Sequence, residues 1–168
     1  MTPEALPGIP DRRPVTRPDS PRILPRPVAL RLAGAERGCG QARDFVRRTL
    51  GDWALDHCSE DALMVVTELA ANAVQHGVPD SAAHSSSAAA RVEAEVWLKL
   101  SLRRTAHLVC AVTDPSDSPP VYPHASDPLD EHGRGLRIID ALSEHWGWTR
   151  RQPMGKTVWA MLPTDHQV

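Results

Sequence analysis

The chain is poor in several things at once, and each shortage narrows what it can be. It has three cysteines in 168 residues, Cys39, Cys58 and Cys110. They are odd in number and widely separated, which argues against a disulfide framework and against a paired-cysteine metal site. A reducing cytoplasm is the compartment expected. Apolar runs are short, Ala62 to Val66 being as long as any, far below the roughly 20 residues needed to cross a bilayer. No apolar stretch follows the first charges, so a secretory signal is not expected. Net charge is only -2, so no global field draws the chain to nucleic acid or to a membrane surface. Lysine is scarce: of 19 basic residues, only Lys99 and Lys156 are lysines. We read the arginine excess as a GC-rich coding bias, which makes each lysine worth inspecting.

Proline, in contrast, is abundant and unevenly placed. Eight of the 16 prolines fall in the first 27 residues, together with five arginines and three acids. A core element does not tolerate proline at that density, because each one fixes φ and removes a donor. Residues 1–27 are therefore expected to form a disordered or polyproline-like arm, a leader without a role or a partner-docking segment. Residues 28–165 remain as one domain, long enough to bury a single sizeable core.

Within that domain, Val28 to Leu32 alternates as an edge strand would. A helix follows, with Ala42, Phe45, Val46, Thr49 and Leu50 at helical spacing. A second helix is expected from Ser59, read as its N-cap, to Gly77, with Pro79 just beyond. The small-residue stretch 80–90 reads as a flexible connection. Residues 91–102 alternate cleanly and should pair as a hairpin with His107 to Thr113. Five prolines between Pro115 and Pro128 mark a long loop. A helix near Gly135 and two strands, Trp146 to Arg151 and Lys156 to Leu162, close the chain. This order predicts an α/β two-layer sandwich, with a mixed, mostly antiparallel sheet and helices on one face.

Four places carry candidate chemistry. In the second helix, Glu68, Asn72 and His76 share one stripe at i, i+4 and i+8, with Leu63, Val66, Ala70 and Ala73 roughly opposite. A plain solvated face explains such a stripe. However, Asn is a poor mid-helix residue, and a carboxylate with an amide oxygen one turn away suits a hard cation or a held water. Asp114 ends a strand before proline: it is a turn initiator, or a buried acceptor for a ligand's amine. His132-Gly133-Arg134-Gly135-Leu136 leads into a helix. It is turn chemistry, or an anion site of bare N–H groups with an added guanidinium. Gly155-Lys156-Thr157 opens the last strand and is not a phosphate-binding Walker loop, because no GxxxxGK precedes it.

The order of these places is more specific than any of them alone. Over about residues 36–162 the chain resembles the GHKL ATPase superfamily, the fold of DNA gyrase, histidine-kinase catalytic domains and MutL. It is most similar to the small stand-alone branch of anti-sigma-factor serine/threonine kinases and their actinobacterial relatives. TELAANAVQHG matches the N box, AVTDPSDSPP the first glycine box, GRGLRIID the second and GKTVWAML the last. The resemblance implies a Bergerat-type ATP-binding fold with a lid at about 115–134. It implies that Asn72 binds Mg²⁺ bridging the phosphates of ATP, and that Glu68 orients or deprotonates the attacking hydroxyl. Asp114 would hold the adenine amino group, with Thr157 supporting it, and Lys156 would reach a phosphate. Gly133, Arg134, Gly135 and Leu136 would form the phosphate-contacting turn, while His76 and Gly77 match the end of the N box. Implied partners are a sigma factor and an antagonist protein, with a homodimer as the assembly. Neither direct nucleic-acid contact nor membrane contact is implied.

One departure is plain. The first glycine box ordinarily reads Asp-x-Gly-x-Gly, whereas here Asp114 is followed by PSDSPP. Two functions stay open on the sequence: a protein kinase acting as an anti-sigma factor, favoured by the retained Glu68, and an ATP-binding module with little transfer, favoured by the missing glycines. A sensor histidine kinase lacks its preceding acceptor helix here. A metal hydrolase lacks its histidine spacing.

Overall fold

The structure, a computed structural model, describes residues 23–76, 95–103, 106–120 and 134–165, apart from the side chains of residues 35, 36 and 76. Most of the expected arm, the small-residue connection and positions 121–133 of the expected lid lie outside these residues, as do Gly77 and Gly133.

Five strands form one sheet in the order β1-β2-β3-β5-β4: β1 Val28–Leu32, β2 Val96–Arg103, β3 His107–Asp114, β4 His145–Arg150 and β5 Lys156–Pro163. Every pairing among the described residues is antiparallel, so the mixed sheet expected from the sequence is more uniform than that. Period-two alternation decides which face each side chain takes. On β2, Val96, Leu98 and Leu100 are buried, while Trp97 and Lys99 are exposed. On β3, Leu108, Cys110 and Val112 turn inward. On β5, Val158, Ala160 and Leu162 do the same.

Among the described residues, three helices supply the other layer: α1 Gly34–Asp52, α2 Ser59–His76 and α3 Arg134–Leu142. From α1, Ala42, Val46 and Leu50 enter the core; from α2, Val65, Val66, Leu69, Ala70 and Ala73; from α3, Leu136 and Ile139. The stripe expected on α1 is the buried one, with Phe45 part-buried at its edge. The stripe expected on α2 is displaced slightly, since Leu63 is only part-buried while Val65 and Leu69 are sealed.

Ser59 is not an N-cap. A 3₁₀ turn, Asp56–Cys58, runs directly into α2, and Ser59 already has helical backbone angles (φ -64°, ψ -39°). An N-cap residue is extended. Glu60 and Asp61 nevertheless occupy the first turn, where negative charge complements the helix dipole.

The three cysteines are free thiols, and burial pushes the Cys110 thiol up to about 12. Among the described residues, no helix is long and apolar enough to cross a membrane.

The seat of α2 on the sheet carries the stability of the domain. Leu69→Ala, at 2% exposure, is expected to cost about 3 kcal/mol in urea denaturation, the sum of lost transfer free energy and a residual cavity. Met64→Ala on the same helix, at 50% exposure, is expected to change stability by less than about 0.5 kcal/mol.

Candidate functional site

Two clusters lie on the helix side of the sheet, and different physics builds each. The first is where α2 meets the N-terminus of α3. Glu68 and Asn72 stand one turn apart on α2 and are part-buried. Gly135 of α3 is buried against them. A methyl group built on Gly135 would lie 2.7 Å from Glu68 Oε2, 3.4 Å from Asn72 Nδ2 and 3.5 Å from Asn72 Oδ1. Glycine leaves this space to the Glu68 carboxylate, and a methyl group would have to displace the flexible end of that side chain. The polar stripe of α2 therefore does not simply face solvent. It faces the first turn of another helix, whose free N–H groups and dipole favour an anion. No acidic residue of α3 itself neutralises that first turn.

Arg134 is exposed at the head of α3, where a guanidinium is free to reach outward. Leu136, expected in the phosphate-contacting turn, has its side chain in the hydrophobic core. Any contact it makes with a ligand is through its backbone. His76 closes α2, and its side chain lies outside the described residues.

The second cluster is at the end of β3. Asp114 is 2% exposed and sits opposite Lys156 in the β3–β5 register. Lys156 Nζ donates to Asp114 Oδ1 at 2.9 Å and, at 3.4 Å, to the carbonyl of Ser116. The same Oδ1 accepts the backbone N–H of Ser116 at 2.9 Å, an Asx turn that starts the proline-rich segment. Asp117 Oδ1 accepts the N–H of Gly155 at 2.8 Å, tying that segment to the start of β5. Burial raises the Asp114 carboxyl above its ordinary value; the hydrogen bonds from Lys156 and Ser116 and the lysine's charge oppose this without cancelling it.

Gly155 makes the cluster sterically feasible. Its φ is +97°, and a Cβ there would stand 2.5 Å from the carbonyl oxygen of Asp114 and 3.3 Å from Cα of Pro115. Strands β3 and β5 approach at this point as only glycine permits.

The structure rearranges two expected roles. Thr157 does not support Asp114. One residue along from Lys156, it points to the opposite face of the sheet, where its hydroxyl hydrogen-bonds that of Thr113 at 2.8 Å. Both threonines line a trough of about 710 Å³ on the face away from the helices. Lys156, expected at a phosphate, instead holds Asp114. The sequence reading passed over Ser116, Asp117 and the φ of Gly155. Strand parity was the available signal. Counting by twos from Val158 and Val112 puts Lys156 and Asp114 on the core face, and Thr157 and Thr113 on the other.

Two sets of substitutions separate these constraints. Gly135→Ala presses on the far end of a flexible glutamate, so its melting temperature is expected to stay near that of the wild type. Gly155→Ala presses on backbone at a left-handed φ and is expected to lose at least about 2 kcal/mol by chemical denaturation. Lys156→Met leaves a buried carboxylate without its partner and is expected to cost about 3 kcal/mol at pH 7. Because burial puts the folded value of Asp114 above the unfolded one, its ionised form counts against folding at neutral pH, and that penalty fades as the pH falls and the carboxyl protonates. The deficit of Lys156→Met relative to the wild type should therefore shrink on acidification, as measured by urea melts at pH 7 and pH 4.5. An undiminished deficit at the lower pH would contradict the assignment.

Comparison with known proteins places this geometry. The fold is similar to the crystal structure of the RsbU and RsbW domains of Rv1364c from Mycobacterium tuberculosis, with a TM-score of 0.56 at 16% identity, over 83% of this chain. The chain spans 32% of that one. No match was found among curated proteins. The sequence model of the histidine kinase-like ATPase domain matches residues 34–162, which include both clusters. With a five-stranded antiparallel sheet under three helices among the described residues, and a family match over most of its length, the chain belongs to the histidine kinase-like ATPase family.

Proposed function

We propose that this chain is an ATP-binding regulator that phosphorylates a serine or threonine of an antagonist protein and binds a sigma factor. The observation that carries this reading is the seat of Gly135 against Glu68 and Asn72. It brings a carboxylate, an amide and a helix N-terminus to one point, which is what transfer of a charged phosphoryl group requires. The family match and the likeness to a structure that contains an RsbW domain support the class.

The donor set at this point fits Mg²⁺. Among the described residues, no group of three or more His, Cys, Asp or Glu side chains forms a cage. Mg²⁺ is ordinarily held by one or two protein oxygens together with substrate phosphates and water. Asn72 Oδ1, with Glu68 beside it, would hold it, and its charge would offset that of the phosphates. Glu68 accepts the proton of the attacking hydroxyl as the hydroxyl oxygen bonds to the γ-phosphorus and the bond to the ADP oxygen breaks. The first turn of α3 and Arg134 bind the phosphate oxygens. Asp114 accepts a hydrogen bond from the amine of the base.

A second reading, ATP binding without transfer, has one observation in its favour. The segment after Asp114 has no glycine, and it is braced by Ser116 and Asp117 hydrogen bonds rather than left pliant.

Incubation with γ-labelled ATP, Mg²⁺ and candidate antagonist proteins separates the two. Transfer is expected from the wild type and should fall at least about a hundredfold in Glu68→Gln, with ATP affinity held within about threefold. Asn72→Ala is expected to weaken Mg²⁺-dependent ATP binding by about tenfold or more. ATP binding without label transfer would favour the second reading, and binding indifferent to Asn72→Ala would remove the site assignment.

A further inference from the structure

Lys156 is 6% exposed on the core face of β5, in line with Val158, Ala160 and Leu162. A buried ion pair is a poor source of stability, since apolar residues of similar volume serve the fold as well or better. The Asp114–Lys156 pair is therefore not explained by packing. Its unused hydrogen-bonding capacity is more informative. An ammonium has three N–H donors. Among the described residues, Lys156 Nζ meets two acceptors, Asp114 Oδ1 at 2.9 Å and the Ser116 carbonyl at 3.4 Å. Oδ1 of Asp114 accepts both Lys156 and the Ser116 N–H, while no described residue donates to Oδ2. Among the described residues, Oδ2 is thus left without a donor and Nζ with a third N–H to give, on two side chains that the β3–β5 register pairs directly.

That pattern is the complement of one edge of adenine, whose exocyclic amine donates and whose neighbouring ring nitrogen N1 accepts. Guanine and hypoxanthine present an acceptor and a donor at the same two positions, opposing both groups. We propose that Lys156 is a base-reading residue of this protein, donating from Nζ to adenine N1 while Asp114 accepts from the amine. The proposal rests on the nucleotide-binding reading of the site and assigns Lys156 to the base rather than to a phosphate.

An analogue lacking the acceptor tests it without reference to turnover. In 1-deaza-ATP, N1 is replaced by C–H. By calorimetric titration in Mg²⁺, the wild type is expected to bind 1-deaza-ATP roughly ten- to a hundredfold more weakly than ATP, the range for a hydrogen bond to a charged group. Lys156→Met should bind ATP as weakly as the wild type binds 1-deaza-ATP, and should no longer distinguish the two. Lys156→Gln keeps a neutral donor and should retain part of the discrimination. It also serves if the methionine variant melts too low to titrate. Equal binding of ATP and 1-deaza-ATP by the wild type would overturn the proposal, as would tighter ATP binding by Lys156→Met, which would mean that the ammonium blocks the base. In either case ATP binding itself would survive, leaving the nucleotide reading intact. A wild type that binds no ATP would overturn both.

Discussion

The domain depends on a single helix doing two jobs on opposite sides. Helix α2 sets Val65, Val66, Leu69, Ala70 and Ala73 into the sheet, and that burial fixes its rotation about its own axis. Once the rotation is fixed, Glu68 and Asn72 have only one direction to point. The site is thus oriented by apolar packing on the far side of the same helix. The small Ala70 and Ala73 let the helix lie close to the sheet, which brings the N-terminus of α3 within reach of its outer face. Gly135 completes the approach: a Cβ there would press on the movable end of the Glu68 side chain rather than on backbone.

The second cluster is fixed by strand register. Asp114 and Lys156 are the last and first residues of β3 and β5, paired directly across the ladder. Shifting either strand by one residue would send its polar terminus to the trough face and turn its apolar residues out of the core. Apolar burial along eight residues of each strand therefore holds one ion pair in place at the end. The two clusters share this logic. In neither does the functional group hold itself; a hydrophobic pattern elsewhere on the same element does.

How far the residues alone led follows from where period and burial agree. Helix α1, the β2–β3 hairpin and strand β5 were legible because their apolar residues recur at one period and one face is sealed. The start of α2 was not. A serine followed by two acids looks like a cap, but the 3₁₀ turn Asp56–Cys58 enters the helix without an extended residue. At that turn Leu55 packs against the core and Cys58 is buried, a tertiary matter that no local pattern reports. Glu68, Asn72 and Asp114 were legible as candidates from residue type and spacing. The meeting of Glu68 with Gly135 was not, since it joins residues 67 positions apart through two helices. The placement of Thr157 on the face opposite Asp114, paired with Thr113, follows from strand parity rather than from the family likeness.

The missing glycines after Asp114 now have a physical counterpart. Glycine in such a segment serves close backbone approach, and the sequence PSDSPP forbids that from the β3 side. The approach occurs from the β5 side instead. Gly155, at φ +97°, brings its Cα against the carbonyl of Asp114 and gives its N–H to Asp117. The prolines then act with this contact rather than against it, because they lower the entropy the segment loses in holding its shape. A braced segment beside a buried acceptor lowers the conformational cost of ordering the base end of a site. It takes no part in the proposed phosphate end, which is assigned to α2 and α3. The two ends of the proposed nucleotide site are therefore built on different terms: the base end on register and rigid turns, the phosphate end on a helix-to-helix contact centred on one glycine.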